Sequence, residues 1–237
     1  MLETFNDYYE DIYKEQSTAR IIDVHDNKIY LDRTIFYAES GGQESDLGFI
    51  SLRETTLPVY NIQYEKSENL WRTAHYIHSE VYLNNIFKIN DEVSLKIDLE
   101  RRIRLSAYHT ASHLLYIAAE SVRSGIQQNV IGCHIKADSA RFDFLCDEKF
   151  NEQELKNIEL QINDMIAQKL PIRTYYKQQG SDERVWECED IKIPCGGTHI
   201  NNTANLPPLK VKRKGIGKGK ERLICSTQNI WNEFSYA

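Results

Sequence analysis

His109 and His113 stand four residues apart in the segment HTASH, and Cys195 and His199 stand four apart in CGGTH. On a helix, residues i and i+4 project from one face, so the first pair can offer two imidazoles to one point. Gly196 and Gly197 free the backbone of the second block to turn tightly, so that both its side chains can reach one point. Thiolate and neutral imidazole are good donors to zinc, and four N or S donors suit a tetrahedral ion. Either pair alone is weak, because histidines at this spacing often pack or cap. Together they supply four ligands in two blocks, and zinc is the expected cofactor. A catalytic zinc usually keeps one position for water. Four protein ligands therefore leave a larger shell, an exchanged ligand, or an ion that only orders the pocket. No HExxH glutamate lies between His109 and His113, and no Ser-His-Asp arrangement is legible, so no catalytic acid or base is assigned. His25, His75, His78 and His134 lack such spacing and are expected to be surface or core residues.

The remaining composition narrows the class of protein. Cys133, Cys146, Cys188, Cys195 and Cys225 are odd in number and form no CxxC pair, so buried thiols are expected rather than a disulfide scaffold. No stretch is apolar enough to span a bilayer, and the first residues lack the features of a signal peptide. A cytoplasmic protein without a membrane partner is expected, and nothing in the pattern indicates an oligomeric state. The formal net charge of −6 argues mildly against a nucleic-acid partner. The charge is uneven, however. Lys210, Lys212, Arg213, Lys214, Lys218, Lys220 and Arg222 crowd into thirteen residues against the single Glu221. Such a stripe either holds a polyanion or is a solvated, mobile loop.

The elements that must position these residues divide at about residue 97. Residues 19–35 alternate apolar and polar around Asp26-Asn27, a hairpin signal, and a Gly-rich loop with Gly41, Gly42 and Gly48 follows. More short strands between 57 and 97 predict a small antiparallel barrel or sandwich. From Leu99 to Arg123 no Gly or Pro occurs, and Leu105, Tyr108, Ser112 and Leu115 recur at helical spacing, so a long, largely buried helix is expected. Strands follow near 130–137 and 139–145. A second helix is expected from Asn151 to Lys169, with Asn151 and Glu154 forming a capping box and Pro171 beyond its end. Further strands are expected at 172–177, 184–190 and 221–227. The fold class is α+β: an N-terminal β-barrel domain, residues 1–97, then an α+β zinc-containing domain, residues 98–237, with the long helix packed on an antiparallel sheet.

Five blocks, LDRTIFYAESGGQ, DLERRIRLSAYHTASHLL, SARFDF, IPCGGTHINNT and GIGKGKERLI, occur in an order and spacing that resemble the AlaX-type alanyl-tRNA editing proteins in their medium-length form. They also resemble the editing region of alanyl-tRNA synthetases. The resemblance covers most of the chain and implies a hydrolase that acts in trans on tRNA(Ala) carrying the wrong amino acid, chiefly serine, with glycine a second candidate. By matched position it implies His109, His113, Cys195 and His199 as the zinc site. Gly41, Gly42 and Gln43 would belong to the loop that faces the editing domain, Gln43 at the substrate pocket and the two glycines against the tRNA, and Arg222 would contact the tRNA end. Gly-Gly-Gln also occurs in translation release factors; here the flanking FYAES and DLG select the alanyl editing context. Binding alone discriminates poorly between serine and alanine, so a hydrolytic site needs a buried partner for the serine hydroxyl. Thr110, Ser112 and Thr198 are the candidates by proximity to the ligands, although Thr110 could instead bond back within its helix. The sequence departs from the synthetase pattern at Val130-Ile131-Gly132-Cys133, where Gln-Lys-Gly-Ser is common. Cys133 is then a pocket wall or a reactive thiol, the wall being preferred. The competing reading is an inactive tRNA binder, or a module that zinc only stabilises.

Overall fold

Period-two alternation builds the first part of the chain. In β8 (Glu92–Ile97), for instance, Val93, Leu95 and Ile97 are buried while Glu92, Ser94 and Lys96 are exposed. The computed structural model describes residues 4–67, 70–179 and 181–227. It contains β1 (Phe5–Asn6), β2 (Gln16–His25), β3 (Lys28–Leu31), β4 (Arg33–Thr34), β5 (Gly48–Leu52), β6 (Thr55–Ser67), β7 (Leu70–Ile77) and the single-turn helix α1 (Leu83–Ile86) ahead of β8. Six strands close into a barrel in the order β2-β3-β7-β6-β5-β8, every pair antiparallel. The expected turn at Asp26-Asn27 joins β2 to β3, with Asp26 at φ +54°. Ile21, Ile29, Leu31, Ile50, Val59, Ile62 and Ile77 fill the interior with the β8 residues. The chain from Phe36 onward is pinned by a fully buried ion pair. Asp46 accepts from the Tyr37 amide at 2.6 Å and from Arg102 Nε at 3.0 Å, and Arg102 also donates to the Ile35 carbonyl at 2.6 Å.

The second part is organised by α2 (Leu99–Val122), in which every residue from Leu105 to Leu115 is buried. A helix wrapped on all sides must find partners for its polar side chains. It is followed by β9 (Val130–Ile135), β10 (Ala140–Leu145), α3 (Glu152–Ala167), β11 (Ile172–Tyr176), β12 (Arg184–Cys188), β13 (Ile191–Pro194), β14 (Leu209–Gly215) and β15 (Lys220–Thr227). Two antiparallel sheets form, β14-β15-β10-β9 and β11-β12-β13. Ala107, Ala111 and Leu114 of α2 join Ile158 and Ile162 of α3, and Phe142, Leu223 and Cys225 of the larger sheet, in one core. Asn151 caps α3 with both bonds of the box in place. By contact density the chain divides into two units. One runs up to Ser40 and from Glu44 to Ile103; the other takes Gly41–Gln43 and the described residues from Arg104 onward.

The basic segment expected as a loop is instead the hairpin β14–β15. Leu209 and Val211 point into the core while Lys210 and Lys212 stay in solvent, so lysines occupy the outward positions of an alternating strand. Among the described residues, no helix is long and apolar enough to cross a membrane.

His75 of β7 lies wholly inside the barrel unit, with Nε2 2.8 Å from Thr34 Oγ1 and Nδ1 3.1 Å from the Ile29 carbonyl. Burial pushes its pKa down to about 4. The unfolded imidazole takes up a proton near pH 6.5, so the stability tied to the neutral ring is complete above that value and is lost as pH falls towards 4. The loss is about 3 kcal/mol at most. Amide exchange of the barrel strands should therefore accelerate between pH 6.5 and 4, beyond the intrinsic pH effect, and His75→Gln should flatten that response. An unchanged profile would assign the acid sensitivity to another group.

Candidate metal centre

α2 delivers His109 and His113 one turn apart, and the chain leaving β13 at Pro194 delivers Cys195 and His199. One ligand atom from each of the four lies within 4.8 Å of the others. Cys195 Sγ is 3.4 Å from His109 Nε2 and 3.3 Å from His199 Nε2. Zinc–sulfur and zinc–nitrogen bond lengths at a tetrahedral angle put such donors about 3.5 Å apart. Gly197 is required for the approach, because a Cβ there would stand 2.0 Å from His109 Cε1 and 2.2 Å from Nδ1.

The electrostatics favour the ligating forms of the imidazoles. Burial holds the pKa of His113 at about 3 and those of His109 and His199 well below the ordinary range, so all three are neutral near pH 7. Burial also pushes the Cys195 thiol up to about 11. His113 Nε2 is buried without a hydrogen-bond partner, although its ring packs at a tilt against Trp186, centroids 4.8 Å apart. A divalent cation answers each of these features: it takes the lone pair of His113, and it favours the thiolate. The three nitrogens and one sulfur fit zinc.

A surrounding layer of polar groups holds the ligands. Gln43 is fully buried; its Oε1 lies 2.7 Å from His109 Nδ1 and accepts from the Thr198 amide at 3.1 Å. Its Nε2 donates to Thr198 Oγ1 at 3.0 Å, and Ser106 donates to the same oxygen at 2.7 Å. Thr110 bonds back to the Ser106 carbonyl at 3.0 Å and also meets His199 Nδ1 at 3.3 Å. Ser112 donates to the His109 carbonyl at 2.7 Å, which commits its hydroxyl to its own helix. Cys133 is half-buried with Sγ 3.3 Å from the Gly41 carbonyl, and burial raises its thiol pKa. Gly42 sits against it at φ +86°, where a Cβ would lie 2.4 Å from that sulfur. Two neighbours escaped the sequence reading. Ser106 shares the helical face of His109 and His113 and was legible from its spacing of three and seven. Trp186 had no local signal.

The basic residues separate by face. Lys212 and Lys214 of β14 lie on the same side of the sheet as Arg222 and Lys220 of β15 and Arg141 of β10. Arg222 bonds Asp143 at 2.7 and 2.9 Å, and Arg141 pairs with the same carboxylate. Arg213 lies on the opposite side, paired with Glu221 at 2.6 Å. Lys210 reaches Glu159 of α3 at 2.7 Å, and Lys218 is exposed beside the β14–β15 turn.

Residues 5–101 match the model of tRNA synthetases class II (A). The alanyl-tRNA editing protein AlaX-M of Pyrococcus horikoshii is 32% identical over 91% of this chain and 94% of its own length. The AlaX-M protein of Methanosarcina barkeri is 32% identical, covering 91% of this chain and 96% of its own. The alanine–tRNA ligase of Thermosynechococcus vestitus is 31% identical over 83% of this chain, which spans only 23% of that ligase. The chain belongs to the family of AlaX-M alanyl-tRNA editing proteins.

Gly197→Ala should displace the His109 ring and weaken zinc binding by at least about tenfold, on the scale expected when a ligand is reoriented. Competition against a chromogenic chelator measures it. Affinity equal to that of the parent would mean that the ring has room to move.

Proposed function

We propose that this protein is a zinc-dependent hydrolase that cleaves the ester joining a wrong amino acid to the 3′ end of tRNA(Ala), with serine the chief substrate and glycine a second. The observation that carries this reading is the intact set of four candidate ligands, three buried histidines and the half-buried Cys195, with His113 Nε2 left unpaired, in a chain of the AlaX-M family. His109, His113, Cys195 and His199 would hold the zinc. When bound, zinc supplies Lewis-acid polarisation to ester hydrolysis. Gln43 and Thr110 fix two of the rings from behind, so the ligands are positioned before substrate arrives. Thr198, gripped by Ser106 and Gln43, is the candidate partner for the serine hydroxyl. Alanine would leave that partner unpaired, which is how a small pocket can spare the correct amino acid. Ser112 has its hydroxyl engaged by its own helix and drops behind Thr198 in this role. Cys133, its thiol held neutral by burial, fits a wall better than a nucleophile.

Phosphates of the acceptor end are assigned to the outer face of the β14–β15 sheet, where Lys212, Lys214, Lys220 and Arg222 stand with Arg141 against one carboxylate, and to Lys218 at the turn. The competing reading is a closed structural zinc site, favoured by one observation: all four donors are nitrogen or sulfur.

Incubation with Ser-tRNA(Ala), Gly-tRNA(Ala) and Ala-tRNA(Ala), with and without a zinc chelator, separates the two. Hydrolysis of the serine ester that the chelator stops, with the alanine ester spared, is expected. A folded, zinc-loaded protein that leaves every ester intact would support the structural reading. Replacing Lys212, Lys214 and Lys220 with Gln should weaken tRNA binding and flatten its salt dependence, by roughly 2 to 3 in the slope of log affinity against log salt. Arg213→Gln, on the opposite face, should leave that slope alone. Equal slopes for all variants would make the face merely solvated.

A further inference from the structure

We propose that Gln43 is a positioning residue of the metal centre, whose side-chain oxygen sets the tautomer of His109 and so makes zinc retention depend on the seating of Gly41–Gln43. This rests on the metal reading above and adds the residue that selects which His109 nitrogen faces the ion.

The orientation of the carboxamide follows from its neighbours. The Thr198 backbone N–H can only donate, so the Gln43 atom 3.1 Å away is oxygen. The other end, nitrogen, then donates to Thr198 Oγ1 at 3.0 Å. Gln43 Oε1 also stands 2.7 Å from His109 Nδ1. Two acceptors would repel at this distance, so Nδ1 carries the proton and Nε2 keeps its lone pair. Nε2 is the atom 3.4 Å from Cys195 Sγ, within the ligand cluster. The ring cannot escape by rotating, because Gly197 packs so closely against it that even a methyl group would overlap.

Seating of the tripeptide is equally specific. β9 is an edge of its sheet, and Gly41–Gln43 lies along it. The Ile135 amide donates to the Gly42 carbonyl at 2.7 Å, and Gln43 bridges Ile135 in parallel. Gly42 adopts φ +86° against Cys133, a position closed to a side chain by both backbone and space. Gln43 is thereby delivered to a fully buried position where its oxygen has two donors and its nitrogen one acceptor. A glutamine chosen only to fill space would not need all three.

Two variants and one spectrum test the assignment. Gln43→Met keeps length and flexibility but removes the acceptor; zinc affinity, measured by chelator competition, should fall about 10- to 100-fold. Gln43→Glu keeps an oxygen for both donors, and its affinity should match or exceed that of the parent. In the zinc-free parent, long-range proton–nitrogen correlation of labelled histidine should show His109 protonated at Nδ1. Parent-like affinity of Gln43→Met, or a proton on Nε2 in the parent, would overturn the proposal. The spectrum decides the matter even if Gln43→Met fails to fold. A parent that takes up no zinc removes the metal reading and this proposal together, whereas a parent that binds zinc no better than Gln43→Met removes this proposal alone.

Discussion

Three imidazoles and a thiol gathered within 4.8 Å cannot all satisfy one another: the Cys195 thiol has one proton for the two imidazole nitrogens within its reach, and His113 Nε2 has no partner. Neutral histidines can share protons with backbone and side-chain oxygens on their outer sides, and His109 and His199 do so through Gln43 and Thr110. Their inner nitrogens, the thiol and the unpaired His113 Nε2 remain directed at a common point. Leaving a buried polar atom unmet costs about 1–3 kcal/mol. A cation would complete such a cluster, and the polar groups around it in the second unit are arranged to hold its four side chains.

That constraint explains local choices that would otherwise look arbitrary. The middle of α2 is buried on every side yet carries Ser106, His109, Thr110, Ser112 and His113 within eight residues. Each has a destination: ligand position, outer partner, or the helix backbone. Gly197 exists because the His109 ring occupies the space of its side chain, and Gly42 because Cys133 does the same. The tripeptide Gly41–Gln43 sits far from His109 in sequence but belongs to the same unit as the centre that it braces.

Much of this could be read from the residues. Paired spacings of four pointed to the four side chains that cluster, because helix and tight-loop geometry translate directly into sequence distance. The hairpin at Asp26-Asn27 and the α3 cap at Asn151 were visible for the same reason: turn and cap chemistry is local. The β14 strand was not visible, since lysines at its outward positions mask an alternation supported inwardly by Leu209 and Val211 alone. Nor was the division of the basic residues, which depends on strand register. Arg213 and Lys214 are adjacent in sequence and face opposite ways, one committed to Glu221 and the other to solvent. Trp186 reaches His113 only through tertiary packing, which leaves no periodic trace.

X-ray absorption at the zinc edge of the purified protein tests the central claim most directly, since it reads donor type and distance together. The expected first shell is one sulfur at about 2.3 Å and three nitrogens at about 2.0 Å. A shell of oxygen and nitrogen without sulfur would contradict the account, because it would place the metal away from Cys195 and leave the buried cluster without the ion on which its arrangement depends.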